Sequence, residues 1–136
     1  MSNKRELVYP AIYKHFKHTE DGILNNYMYV TMGISKPLED YDNELQKTMS
    51  AMKDILVVNL TESNDQIVVF EKEQCYYHKF KDYNSELVIY KSLYNNHIAY
   101  AKPLDMFLSE VDKEKYPNVD QKYRFELVGI LGRKLS

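Results

Sequence analysis

Alternating apolar and polar residues predict β-strands in two parts of the chain. Residues 122–128 place apolar side chains between charged ones at every second position, which is typical of a strand with one face toward water. Residues 27–34 alternate in a similar way. The side chains that we assign to the core are Met28, Val30, Met32, Ile34, Tyr123, Phe125 and Leu127. Those that we assign to the outer face of the first strand are Tyr27, Tyr29 and Thr31.

Two β-hairpins are also predicted. Residues 55–60 and 66–71 are rich in valine and isoleucine, and the polar cluster between them is typical of a turn. Residues 87–94 and 97–102 form the second hairpin, because the two asparagines between them tolerate the positive φ of a tight turn. The first hairpin is apolar on both faces, so we expect a neighbouring helix or a second copy of the chain to cover it.

Apolar residues at spacings of three and four predict two helices. The first spans residues 38–52, with Pro37 in its first turn and its methionines used for packing. The second follows Pro103 for about two turns, with Asp105 near the positive end of the helix dipole. Its apolar residues are Leu104, Phe107, Leu108 and Val111. Together these elements predict an α+β fold that is mostly β: a small barrel-like or rolled antiparallel sheet with an inserted helix and hairpin.

The composition excludes several classes of protein. The chain of 136 residues suits a single domain, and its one cysteine allows neither an internal disulfide nor a cysteine-based zinc site. With four glycines it offers no phosphate-binding loop, so we predict no nucleotide-dependent enzyme and no cofactor. No stretch of about 18 apolar residues occurs, and the first ten residues lack the features of a signal peptide. We therefore expect a soluble, cytoplasmic protein that does not bind membranes.

The charges are unevenly distributed along the chain. The net charge of −2 argues against a strongly basic nucleic-acid-binding protein. Residues 37–86 hold five basic and eleven acidic side chains, whereas residues 1–36 hold five and three and residues 87–136 hold eight and six. An acidic middle between two mildly basic ends indicates a segment inserted into, or appended to, a more basic unit. Ordinary variation of charge along a protein surface is an alternative explanation of these counts.

The sequence contains no recognisable catalytic motif. His15 and His18 lie three positions apart and precede two acidic residues, but residues three apart on a strand point to opposite faces. The same spacing separates Cys75 from His78. We therefore predict no metal site and no catalytic residues, and we expect Cys75 to be a small buried apolar side chain.

Thirteen tyrosines, together with nearby basic residues, form a candidate binding surface. Aromatic rings alternating with cations on a sheet bind single-stranded nucleic acid, whereas tyrosine equally suits an interface with another protein or a second copy of the chain. The high β-propensity of tyrosine is a third explanation. The candidate binding residues are Tyr13, His15, Lys17, Tyr90, Tyr94, Tyr100, Lys102 and Arg124.

Three hypotheses about function follow from these residues. The leading one is a non-enzymatic binding or interaction module with an unknown partner, which is a protein or a second copy of the chain. A single-stranded nucleic-acid-binding protein is the second hypothesis, and it is less favoured because each basic end carries a surplus of only two charges. The third is an enzyme with an unrecognised site, which requires a set of five side chains to converge within hydrogen-bond distance: Tyr13, His15, Tyr90, Lys102 and Arg124.

Four segments together resemble the domain of unknown function 1653, a small bacterial family. They are residues 13–17 (Tyr-Lys-His-Phe-Lys), 86–90 (Glu-Leu-Val-Ile-Tyr), 102–107 (Lys-Pro-Leu-Asp-Met-Phe) and 124–127 (Arg-Phe-Glu-Leu). The resemblance implies a compact β-rich domain and no known activity. It implies a core at about residues 8–35 and 86–130 and an insertion at about residues 41–85, which overlaps most of the acidic middle.

The sequence departs from the family pattern at three further positions. Tyr100 and Lys102 stand where the family has tryptophan and arginine, and Pro37 stands where it has a turn histidine. A lysine does not make the bidentate hydrogen bonds of an arginine, which weakens recognition of a carboxylate or phosphate at this position.

Overall fold

The computed structural model describes residues 5–17, 27–39, 54–72, 75–94 and 98–130, and these residues are mostly β-strand. One helical turn, α1, spans Leu104–Phe107. The strands are β1 (Ala11–His15), β2 (Met28–Leu38), β3 (Asp54–Leu60), β4 (Gln66–Lys72), β5 (Cys75–Lys79), β6 (Leu87–Ser92), β7 (Ala99–Pro103) and β8 (Phe125–Ile130). Within the described part of the chain, no helix is long and apolar enough to cross a membrane.

Six of the strands close into a barrel, which confirms the predicted barrel-like fold. The barrel strands follow the order β5-β4-β3-β7-β6-β2, and β2 pairs with β5 to close the ring. Strand β2 is long enough to use one edge twice, since its first residues pair with β1 and its last residues with β5. Strands β1 and β8 therefore extend the sheet beyond the barrel. The β2–β5 and β3–β7 pairs are parallel, whereas the sequence predicts an antiparallel sheet.

The sheet carries an apolar core on each side of β6, whose residues 87–90 are all buried. Leu87 and Ile89 face the inside of the barrel, together with side chains from β3, β4 and β7. Val88 and Tyr90 face outward and pack against residues from β1, α1 and β8. The outer face of the barrel is thus covered in part by the extra strands and the helix. Next to this outer core lies the candidate site.

The side chains of β2 that are fully buried differ from those expected. A β-bulge between Thr31 and Gly33 interrupts the pairing with β6, and an extra residue of this kind reverses the alternation of side chains. Thr31 and Ser35, not the methionines, are the fully buried side chains of this strand. The Thr31 hydroxyl donates to the Val8 carbonyl at 2.8 Å and accepts from the Ala11 N–H at 3.1 Å. Its burial is tolerated because both of these hydrogen bonds are made.

Both predicted hairpins are present, as the antiparallel pairs β3–β4 and β6–β7. Burial of the first hairpin on both faces is not observed. Its inner face contributes Val58 and Val69 to the barrel core, but Val57 on its outer face is 52% exposed. Residues 40–52 of the predicted covering helix lie outside the described residues, as does the turn at residues 95–96.

Pro37 lies in a strand and not in the first turn of a helix. It pairs with His78 in the parallel β2–β5 ladder, and Leu38 is the last residue of β2. A proline is tolerated near the end of a strand because one missing N–H interrupts the ladder little there. The comparison with the family histidine implies a turn at Pro37, and the structure has a strand there instead.

The second predicted helix and the last strand are shorter than expected. Helix α1 ends after a single turn, and Val111 is buried in the irregular segment beyond it. Strand β8 begins at Phe125, which is buried as predicted. Leu127 is exposed and Tyr123 is only half-buried, so two of the three expected core positions of this strand are wrong.

Candidate functional site

A cleft of about 330 Å³, which we call the tyrosine cleft, opens on the outer face of the barrel. It lies where β2, β6 and β7 present their outward side chains beside β1, β8 and the β3–β4 turn. The residues that line it are His15, Lys17, Tyr27, Tyr29, Thr61, Tyr90, Tyr100, Lys102 and Phe125. Five of the eight candidate binding residues therefore meet in one cleft: His15, Lys17, Tyr90, Tyr100 and Lys102.

The strand registers place three tyrosines side by side in this cleft. Tyr90 pairs directly with Tyr100 across the antiparallel β6–β7 ladder, and Tyr29 lies on the neighbouring strand β2. The ring centroid of Tyr90 is 5.5 Å from that of Tyr29 and 5.7 Å from that of Tyr100. These are the distances of ordinary aromatic pairs, so the three rings form one packed row.

Tyr90 forms the floor of the cleft and is only 4% exposed. Its ring also contacts Phe107 and Phe125, at centroid distances of 5.4 and 5.7 Å. Among the described residues, none forms a hydrogen bond with its hydroxyl. Buried polar groups in native proteins nearly always have such a partner. The Tyr90 hydroxyl is therefore an exception that requires an explanation.

Burial raises the pKa of two phenols that line the cleft. Burial raises the pKa of Tyr90, and the nearby Tyr29, Tyr100 and Glu62 raise it further. Burial and Tyr100 likewise raise the pKa of Tyr29. Tyr29 and Tyr90 therefore keep their protons at neutral pH. They act as neutral hydroxyls that can donate hydrogen bonds.

Lys102 forms one wall of the cleft and is held by the β3–β4 turn. Its Nζ lies 3.1 Å from Oε2 of Glu62, and the Thr61 hydroxyl donates to the same oxygen at 2.8 Å. Hydrogen bonds from Thr61 and Lys102 hold the pKa of the Glu62 carboxyl below its usual value. The Lys102 side chain is only 14% exposed, and Glu62 is its one partner among the described residues.

The charged groups that line the cleft are all basic. They are Lys17 and Lys102, with the ionisable ring of His15 beside them. Nδ1 of His15 accepts a hydrogen bond from the Lys17 N–H at 3.2 Å, and its ring packs on Phe125 at 4.8 Å. None of the described residues that line the cleft is acidic, although the Glu62 carboxylate contacts two lining residues, Lys102 and Thr61.

The other three candidate residues do not join the cleft. Tyr13 is 1% exposed and packs on Phe107, which corrects its expected place on a surface. Its hydroxyl accepts a hydrogen bond from the Val8 N–H at 3.1 Å. Tyr94 is 55% exposed. Arg124 is half-buried outside the lining of the cleft, although its charge helps to lower the pKa of Glu62. Of the five residues that the enzyme hypothesis requires to converge, His15, Tyr90 and Lys102 line the cleft, whereas Tyr13 and Arg124 do not.

Four residues of the cleft are absent from the set of candidate binding residues. The sequence could have identified Tyr27 and Tyr29, because their alternation places them on the outer face of a strand. The sequence could not have identified Thr61 and Phe125, since Thr61 resembles an ordinary turn residue and Phe125 a core residue. Thr61 reaches the cleft through the parallel β3–β7 pair, in which its N–H donates to the Ala101 carbonyl at 3.0 Å.

A second arrangement of reactive side chains is fully buried. Ser35 Oγ lies 2.6 Å from Nδ1 of His78, and Nε2 of His78 lies 3.1 Å from the Ser85 carbonyl oxygen. The carbonyl can only accept, so Nε2 carries the proton and Nδ1 accepts from the Ser35 hydroxyl. Burial lowers the pKa of His78. Both side chains are sealed in the fold, so this pair has a structural role.

Two further sites offer less chemistry. A larger cavity of about 590 Å³ is lined in part by Arg5, but the Arg5 guanidinium donates to the Leu108 and Phe125 carbonyls and stacks on Tyr123.

Cys75, expected to be buried, is exposed at the start of β5. His18 and the two acidic residues that follow it lie outside the described residues.

Comparison with protein families gives one match. Residues 73–127 match a family described as "Protein of unknown function (DUF1653)", which confirms the resemblance over this stretch. The match includes Tyr90, Tyr100, Lys102 and Phe125 of the tyrosine cleft. No curated protein and no solved structure gives a significant match.

Proposed function

With residues 73–127 assigned to a family of unknown function, we propose that this protein is a non-enzymatic binding module whose ligand occupies the tyrosine cleft. The observation that carries the proposal is the buried Tyr90 hydroxyl, which has no hydrogen-bond partner among the described residues. A buried hydroxyl without a partner costs about 1–3 kcal/mol. A ligand seated in the cleft would supply that partner and recover the cost on binding.

The size of the cleft supports a small ligand. Its volume of about 330 Å³ is near the lower end of the range that small-molecule sites occupy in proteins, about 300–1,000 Å³. The Tyr90 ring is enclosed by other aromatic rings, whereas stacking of nucleic-acid bases requires open ring faces. Single-stranded nucleic acid is therefore less favoured. Binding of a protein or of a second copy, and a cytoplasmic location, stay predictions.

The state of the ionisable groups supports binding and not catalysis. Tyr29 and Tyr90 have raised pKa values and so are poor general bases. The Lys102 amine contacts the Glu62 carboxylate at 3.1 Å, so it is engaged in an ion pair and is not placed as a free nucleophile. The cleft thus offers hydrogen-bond donors and positive charge, and these groups hold a ligand in place.

Titration of the labelled protein with small molecules tests the proposal. We would record amide chemical shifts by NMR while adding a mixed set of carboxylic acids, phosphates, amides, diols and amines. We expect the shifts to concentrate at Tyr29, Thr61 and Tyr100, and to be lost when Tyr100 is replaced by Ala. Shifts confined to the cavity beside Arg5, or unchanged in the Tyr100→Ala variant, would contradict the proposal.

A further inference from the structure

We infer that the ligand of the tyrosine cleft carries a compact oxyanion, a carboxylate or phosphate group, bound by the hydroxyls of Tyr29, Tyr90 and Tyr100 and by the Lys102 ammonium. This inference rests on the proposed function and adds the chemical class of the ligand. Two independent features of the cleft support it: the supply of free donors and the sign of the charge.

The first feature is a set of three hydroxyls without partners. Within the described part of the chain, none of Tyr29, Tyr90 and Tyr100 makes a hydrogen bond through its hydroxyl. All three line the same cleft, and their rings pack against one another. A phenol hydroxyl can donate a hydrogen bond to an acceptor atom. A carboxylate or phosphate presents two or more acceptor oxygens at close spacing, which suits donors arranged in a row.

The second feature is positive charge without a carboxylate in the lining. Lys17 and Lys102 both reach the cleft, and none of its described lining residues is acidic. The Lys102 ammonium has three hydrogens, and one of them is directed at Glu62, 3.1 Å away. Two hydrogens therefore remain for a ligand, which need not displace Glu62. A cationic ligand would meet the like charges of these two lysines.

Glu62 gives the inference a distinctive consequence. Its carboxylate pairs with Lys102 and offsets part of the positive charge that an anion would meet. Replacing Glu62 with Gln removes that offset and keeps an oxygen that can accept from Lys102 and Thr61. We therefore expect the Glu62→Gln variant to bind an anion about threefold more tightly, as removal of one partly screened like charge allows. A cation would bind more weakly to the same variant.

The test is an NMR titration at constant ionic strength with four probes. Sodium acetate and sodium phosphate are the two oxyanions, acetamide is the neutral molecule of the same shape as acetate, and methylammonium chloride is the cation. We expect acetate, phosphate or both to shift the amides of Tyr29, Tyr100 and Lys102, and the two arms identify which oxyanion the cleft prefers. Acetamide and methylammonium should leave these amides unchanged.

Three variants connect the binding to named atoms. Tyr90→Phe removes only the buried hydroxyl, and we expect it to weaken binding about tenfold, as loss of a hydrogen bond to a charged group does. Lys102→Met should weaken binding at least as much. Tyr13→Phe is the matched control, because Tyr13 is equally buried but lies outside the cleft. Its affinity should equal that of the wild type.

The outcomes separate this inference from the proposed function. If acetamide binds as well as acetate, or if Glu62→Gln weakens anion binding, the inference that the ligand carries an oxyanion is wrong. The cleft then remains a ligand site. If the anions shift only amides outside the cleft, or if Tyr90→Phe binds like the wild type, the inference is likewise overturned. If no probe and no molecule of the mixed set reaches the cleft, both proposals fail.

Discussion

Two buried tyrosines of the outer core differ only in what their hydroxyls contact. Tyr13 accepts a hydrogen bond from the Val8 N–H, whereas the Tyr90 hydroxyl has no partner among the described residues. We expect Tyr13→Phe to lower the free energy of unfolding by about 1 kcal/mol, because it leaves the Val8 N–H unpaired. Tyr90→Phe should leave the free energy of unfolding unchanged or raise it by up to about 1 kcal/mol, because the gain from removing an unpaired hydroxyl is partly offset by the space that the hydroxyl leaves.

Urea unfolding of both variants and the wild type, without added anions, checks this pair of predictions. The two substitutions remove the same atom from sites of similar burial, so each is the control for the other. Equal losses of stability would contradict the prediction, because they would mean that the Tyr90 hydroxyl is already paired in the unliganded protein.

His78 makes the stability of the fold depend on pH. Burial lowers its pKa, and this effect outweighs the opposing contributions of the Ser85 and Tyr83 backbone and the Asp82 charge. Its contribution is complete above the ordinary histidine pKa of about 6.5. Below that pH the unfolded chain takes up a proton that folded His78 resists, so stability falls toward the lower, folded-state pKa. The slope from this one group is at most about 1.4 kcal/mol per pH unit.

The free energy of unfolding, measured between pH 7.5 and pH 5, tests this dependence. We expect the difference between the wild type and a His78→Gln variant to shrink as the pH falls. His15→Gln serves as the control, because His15 lies at the cleft and is not sealed in the fold. A constant difference between the wild type and His78→Gln would contradict the assignment.

At the scale of strands, the sequence predicts what is local and misses what is not. Both hairpins were predictable, because their two strands follow each other and a turn joins them. The parallel pairs β2–β5 and β3–β7 join segments far apart in the chain, and no local pattern reports them. The sequence does not reveal the bulge between Thr31 and Gly33 either. The bulge turns Ser35 toward the inside of the barrel, whereas Thr31 keeps its predicted outer face and is buried because residues 8–11 cover it.

The same limits explain the partial success at the site. His15, Lys17, Tyr90, Tyr100 and Lys102 were predictable because outward tyrosines and lysines alternate on their strands. Thr61 and Glu62 were not, since only the parallel β3–β7 pair brings their turn beside Lys102. Tyr13 was misassigned because alternation identifies the two faces of a strand without showing which one is covered.

The bulge in β2 leads to a prediction at Gly33. A Cβ atom at this position would lie 2.9 Å from two ring carbons of Tyr76, closer than unbonded carbons approach. We expect Gly33→Ala to lower the free energy of unfolding by about 1–3 kcal/mol, as overpacking does. Urea unfolding measures the loss. In a Tyr76→Ala background the ring is absent, so the same substitution should be neutral or stabilise by up to about 1 kcal/mol, as alanine does relative to glycine in a strand.

At the scale of the whole molecule, the barrel makes the family-matched stretch depend on the rest of the chain. The match covers residues 73–127, yet the core inside the barrel also requires the β3–β4 hairpin. This hairpin contributes Val58, Leu60, Ile67 and Val69, which pack against Leu87, Ile89, Ala99 and Ala101 of β6 and β7. Removing the hairpin would open two edges of the barrel and expose that apolar surface to water.

We therefore predict that a chain whose residues 54–72 are replaced by a short Gly-Ser linker does not unfold cooperatively. Near-UV circular dichroism of the tyrosines and urea titration check this, since a protein without fixed packing loses both signals. As a control, replacing only residues 61–64 with Asn-Gly keeps the hairpin and its register, so that variant should unfold in one sharp transition while losing the Glu62–Lys102 pair. A sharp transition and native-like tyrosine signal in the linker variant would show instead that β1, β2 and β5–β8 fold without the hairpin. The hairpin would then be an appendage and not a wall of the barrel.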